Sequence, residues 1–178
     1  MNKAWKAIVL QEIKEQFPSE ESFYERHLGM DETSWIRWKK DESDLGNYGQ
    51  EKIERLFTDY EKMLVDKVAR NAEIIPDVQM NPVREYKQMK FQIASKWIQS
   101  GLGEATWISD EDDFREKEYR ISLLRVENDY QFWSYKDRLE FRIKESRKKQ
   151  LRWSKPELLE WFEEKISEQK EEATSAET

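Results

Sequence analysis

The stretch from Ser19 to Ser43, SEESFYERHLGMDETSWIRWKKDES, limits the fold of this chain more than any other. A helix-turn-helix unit needs apolar residues where its helices touch, a turn residue free to take positive φ, and a polar outer face on the second helix. Tyr24 and Leu28 are four apart on the first helix, Gly29 supplies the turn, and Trp35 and Trp38 are three apart on the second. Thr33, Ser34, Arg37, Lys39 and Lys40 are left facing outward, where a recognition helix would meet the major groove. Two features oppose DNA reading. Glu25 stands four before the glycine, where a small residue lets the helices cross closely, and Asp31 and Glu32 open the second helix with the wrong sign for phosphate. Lys39 and Lys40 also suit a helix C-terminus for purely local reasons.

The rest of the 178 residues must bury a core from an unusual mixture. Hydrophobic residues are only 37% and charged residues 39%, but aromatics reach 13% and include eight tryptophans, so large rings replace aliphatic burial. With no cysteine and one histidine, His27, disulfides, thiolate metal sites and cysteine nucleophiles are excluded. No apolar run approaches the roughly 20 residues that cross a bilayer, and MNKAWKAIVLQEIKEQF lacks a secretion core, so the expected location is cytoplasmic. The net charge is -7, with a basic stretch at 114–153 between acidic ones. Such a field favours a basic protein partner over non-specific nucleic-acid binding.

Taken in order, residues 3 to 17 predict a helix with Trp5, Ile8, Val9, Ile13 and Phe17 inward, stopped by Pro18. Ser19 caps the next helix. After the break at DESDLGNYG, Ile53, Leu56, Phe57, Tyr60, Leu64 and Val68 predict one long helix, whose later turns either join two parts of the chain or pair with a second copy. IIPDVQMNP, with two prolines, is the expected crossover. It divides a helix-turn-helix-like helical domain at 1–73 from a small α+β domain at 74–170, with a disordered tail at 171–178. Tyr86, Met89, Ile93 and Trp97 line a further helix that stops at Gly101. Alternation then predicts a small antiparallel sheet, with Tyr119, Ile121 and Leu123 on one face and a turn at Glu127, Asn128 and Asp129. Ser154 and Glu157 form a capping box around Pro156, and Leu158, Leu159, Trp161, Phe162 and Ile166 line the closing helix. The fold class is α+β, mostly helical.

Chemistry is sparse. His27 beside the turn is an exposed or capping residue rather than a base, and five scattered glycines make no phosphate loop, so no enzyme and no cofactor are expected. The run Asp110, Glu111, Asp112, Asp113 lacks the glycine and ligand spacing of a calcium loop and is expected to be solvated charge, not a metal site. More informative are Lys136, Arg138, Arg142, Lys144, Arg147, Lys148, Lys149 and Arg152, interleaved with Phe132, Trp133, Tyr135 and Phe141. Cations beside exposed rings bind nucleic acid by stacking or a protein through hot spots, and the same pattern also fits a sheet with a charged outer face.

Trp35 with Trp38-Lys39, the segments GQEKIERLFTDYE and KFQIASKWI, Tyr135-Lys136-Asp137 and the terminal LEWFEE occur in this order. On these features the chain resembles the streptococcal phage anti-CRISPR proteins that inhibit a type II-A Cas nuclease. The resemblance spans most of the length. It implies a helix-turn-helix unit joined to a small α+β part, a symmetric homodimer, and a non-enzymatic inhibitor in the cytoplasm of a bacterial host. Such an inhibitor binds the guide-loaded nuclease and blocks target DNA binding or cleavage, by altering its shape, by occupying its DNA-facing surface, or by DNA mimicry through acidic surfaces. This chain's own charges and rings point to Tyr135, Lys136, Arg138 and Arg142 as the partner-binding residues. The alternative is a transcriptional regulator that uses Thr33, Ser34, Arg37, Lys39 and Lys40 on operator DNA.

Overall fold

Helices start where the sequence offers an acceptor to backbone N–H groups that have no partner inside the helix. The computed structural model describes residues 2–108, 121–131, 133–144 and 154–176. In it Asn2 caps α1 (Lys3–Gln16), Ser19 caps α2 (Glu20–Arg26) and Asp31 caps α3 (Glu32–Lys39). There follow α4 (Gly46–Glu54), α5 (Asp59–Ala72), α6 (Pro76–Met80), α7 (Pro82–Ser100), β1 (Gly103–Ile108), β2 (Ile121–Asp129), β3 (Lys136–Lys144) and α8 (Lys155–Ala176). This is a mostly helical α+β fold with one three-stranded antiparallel sheet.

The α2–turn–α3 pair forms as the spacing predicts. Gly29 takes φ +62°, a region that costs a side chain dearly, and Met30 N–H donates to Tyr24 O at 2.9 Å to close the turn. Trp35 and Trp38 are buried and stacked at 4.8 Å, with Tyr24 stacked on Trp35 at 5.6 Å. Phe23 joins them edge-on and is equally buried. Glu25 points to solvent and leaves the crossing clear. His27 is the C-cap of α2, its ring against Phe17 at 4.8 Å.

The expected long helix after residue 49 is instead two. Thr58 accepts from Glu61 N–H while the Glu61 carboxylate accepts from Thr58 N–H, so a reciprocal cap restarts the chain as α5. That gain outweighs continuing the ladder through Arg55–Phe57. The buried side of α5, with Leu64, Val65, Val68 and Ala72, packs on α1 and α7. Its later turns therefore join parts of one chain. The two-proline segment holds the short α6, and Gly101 at φ +80° ends α7.

The sheet runs β1-β2-β3 with Trp107 opposite Leu124, Leu124 opposite Phe141 and Val126 opposite Leu139. Leu124, Val126, Leu139, Phe141 and Ile143 belong to the main core. The alternation holds, with Leu123 on the face opposite this core and itself buried, while Tyr119 lies outside the described residues. The turn moves. Glu127, Asn128 and Asp129 pair with Arg138, Asp137 and Lys136 inside the ladder, and the connection spans residues 130–135. In α8, Glu157 accepts from Ser154 N–H, and Leu158, Trp161, Phe162 and Ile166 are buried. The helix continues to Ala176, past residue 170 where the sequence suggested that order ends. Phe91 of α7 stacks on Phe141 at 5.0 Å, and Phe162 meets the same ring at 5.6 Å.

Candidate partner-binding surface

β3 is an edge strand, and its free edge is closed by side chains rather than by a fourth strand. Thr58 Oγ1 donates to Arg138 O at 2.6 Å, Glu140 N–H donates to Glu61 Oε2 at 3.0 Å, and Lys90 Nζ donates to Glu140 O at 2.7 Å. These bonds remove a row of groups that would otherwise template pairing. They also tie the hairpin to α5 and α7, so its position is set from two helices.

Beneath that edge lies a buried ionic joint. Lys90 and Glu61 pair at 2.9 Å with both side chains buried, and Arg142 lies 3.8 Å from Glu12 and 3.4 Å from Glu140. Burial would push the Glu61 carboxyl up, but Lys90 and two backbone N–H donors outweigh it and hold its pKa below the ordinary value. Lys90 is held protonated, its pKa raised by Glu61 and Glu12 against the opposing effect of burial. Glu12 goes the other way, because burial dominates and pushes its pKa up. Its hydrogen bond comes from Gln16 at 2.9 Å, and Arg142 is too far to donate well. A cleft of about 520 Å³ borders this joint, lined by Glu15, Lys87, Phe91, Trp161 and Lys165 among others. Its ions pair with one another, as in Lys87–Glu15 at 2.6 Å and Lys165–Glu168 at 3.1 Å.

At the far end of the hairpin the environment reverses. Trp133 is 67% exposed, the most open ring among the described aromatic residues, and Tyr135 at 59% follows just after Tyr48. Trp133 N–H donates to Tyr130 O at 2.7 Å, and the Tyr130 hydroxyl donates to Asp137 at 2.6 Å. Burial and that carboxylate push the Tyr130 hydroxyl up to about 12. Glu127 sits between Lys136 at 3.7 Å and Arg138 at 3.0 Å. Of the partner-binding residues expected from sequence, Tyr135, Lys136 and Arg138 therefore come together on the surface, with Tyr135 in the turn instead of on the strand. Arg142 does not join them. Its side chain is only 4% exposed, lying 3.8 Å from Glu12 of α1 and 3.4 Å from Glu140. Trp133, one of the interleaved rings in the sequence but not among the expected partner-binding residues, is exposed in the same connection as Tyr135. Phe132, Arg147, Lys148, Lys149, Arg152 and the acidic run 110–113 lie outside the described residues.

On α3 the outward set falls as its spacing predicts. Thr33, Arg37, Lys39 and Lys40 are exposed and Ser34 is half-buried, its N–H donating to Asp31 at 2.7 Å. Lys39 pairs with Glu20 at 3.1 Å, whereas Arg37 and Lys40 form no ion pair among the described residues. No cluster of three or more His, Cys, Asp or Glu side chains that could hold a metal ion, and no helix long and apolar enough to cross a membrane, occurs among the described residues. Compared with protein-family models, curated proteins and solved structures, the chain matches none.

Proposed function

We propose that this protein is a phage-encoded, non-enzymatic inhibitor that binds a guide-loaded type II-A Cas nuclease and blocks target DNA binding or cleavage. The observation that carries this is the hairpin tip, where Trp133 and Tyr135 stand in solvent beside Lys136 and Arg138 on a hairpin anchored by α5 and α7. Large rings held in place and left uncovered are the usual centre of a protein-binding hot spot. A helix-turn-helix-like pair followed by a small α+β part is also the organisation that the sequence resemblance implies. The ions of the cleft beside the buried joint pair with each other, which favours a structural role for them over a catalytic one. A homodimer belongs to the same proposal.

A cleavage assay with purified streptococcal type II-A nucleases, guide RNA and rising amounts of this protein tests it. Inhibition that saturates near equal molarity is expected, unchanged by Arg37→Ala. No effect on any of several such nucleases overturns it. The second reading, an operator-binding regulator, is favoured by the exposure of Thr33, Arg37 and Lys40 on α3. It predicts a salt-sensitive specific DNA complex lost in Arg37→Ala.

A further inference from the structure

We infer that the hairpin tip docks into an apolar pocket on a protein surface, with Trp133 and Tyr135 as the inserted rings and Lys136 and Arg138 only aiming the hairpin. This rests on the inhibitor proposal and names what the same site recognises. Exposed rings beside a lysine and an arginine invite a nucleic-acid reading, in which cations hold phosphate and rings stack on bases. The charge of the segment argues otherwise. Residues 127–138 carry Lys136 and Arg138 against Glu127, Asp129 and Asp137, so the segment itself offers a phosphate chain no net positive charge. Both cations are engaged by Glu127, and Asp137 is engaged by the Tyr130 hydroxyl. With its charges turned on one another, the tip offers a partner mainly ring surface.

The tip is also prepared for such contact. Trp133 N–H bonds back to Tyr130 O, and the Tyr130 and Tyr135 rings lie 6.2 Å apart, contacts that favour this arrangement before binding. Tryptophan and tyrosine add large apolar area while freezing only two side-chain torsions each, which is why they dominate binding centres. An apolar pocket would remove this area from water. A basic or acidic groove would have to break the Glu127 pairs first.

The test measures binding of the full-length chain to the guide-loaded nuclease at about 0.1 M and about 0.5 M salt. Trp133→Ala should weaken binding at least about 30-fold and Tyr135→Ala about 10-fold, both with unchanged melting temperature because neither ring is buried. Lys136→Ala and Arg138→Ala should each change it less than about 5-fold, and so should the added salt. Wild-type inhibition with Trp133→Ala binding equally well overturns the docking inference and leaves the inhibitor proposal standing. Failure of the wild-type chain to bind any such nuclease overturns both. Tight binding to a single-stranded RNA of about 20 nucleotides, lost at the higher salt and in Lys136→Ala, overturns apolar docking in favour of nucleic-acid contact.

Discussion

The middle of β3 and its hairpin end are flanked by the same residue types and use them in opposite ways. Near the middle of the strand, Glu61 of α5 and Lys90 of α7 bond to the Glu140 backbone as well as to each other, and their pair is nearly dry. At the hairpin end, Lys136 and Arg138 pair with the Glu127 carboxylate, with about half of each side chain in water. The first group replaces a missing strand, while the second merely balances charge beside two bare rings. A charge in this protein has an assignable role only once its backbone partners are known, because desolvation multiplies what a lost partner costs.

The sharpest way to break that contrast is to remove Lys90. Lys90→Met should cost about 3 kcal/mol in urea denaturation, since it strands the buried Glu61 carboxylate and frees Glu140 O at the sheet edge. A loss below about 1 kcal/mol would mean the joint is ornamental. Thr58→Ala comes next, at about 1–2 kcal/mol, because Thr58 both caps α5 and donates to Arg138 O. Equal stability in that variant would show that the α4–α5 break does not depend on the cap.

A subtler division runs within the joint. The contribution of Glu61 is full above the ordinary glutamate pKa of about 4.3 and is lost as pH falls through its depressed folded value. Glu12 works in the opposite sense. Its folded pKa is raised, so its contribution is full below about 4.3 and is lost as pH rises through the folded value. Glu12→Gln should therefore be better tolerated at pH 7 than at pH 4, as read from denaturation curves at both pH values. A larger penalty at pH 7 would show that the Arg142 pair, despite its 3.8 Å separation, outweighs burial.

Local signals carried much of this fold. The glycine turn, the paired tryptophans and the helix stops at Pro18 and Gly101 are short-range features, and spacing alone places them. The Thr58–Glu61 box was just as local and was outvoted by an apolar period that runs smoothly from Ile53 to Val68 across the break. The hairpin failed for a different reason. Glu127-Asn128-Asp129 has turn composition, but pairing with 136–138 on the neighbouring strand overrides local preference. Arg142 was legible as a cation and not as a buried one, because its ionic neighbour Glu12 lies 130 positions earlier in the chain. Long-range partners of that kind leave no trace in spacing.

The smallest expected effect completes the contrast. Lys136→Ala and Arg138→Ala should each change stability by less than about 0.5 kcal/mol, because an ion pair in water gains little beyond the cost of holding two side chains in place. Glu127 is the more telling probe. It is mostly covered and serves two cations, so Glu127→Gln removes the charge that neutralises both while keeping the shape. That variant should melt like the wild type and yet bind single-stranded nucleic acid more strongly at low salt, since two freed cations then flank the exposed rings. Unchanged nucleic-acid binding would mean that Asp129 and Asp137 already suffice to repel phosphate, and that the tip's specificity for protein does not depend on Glu127.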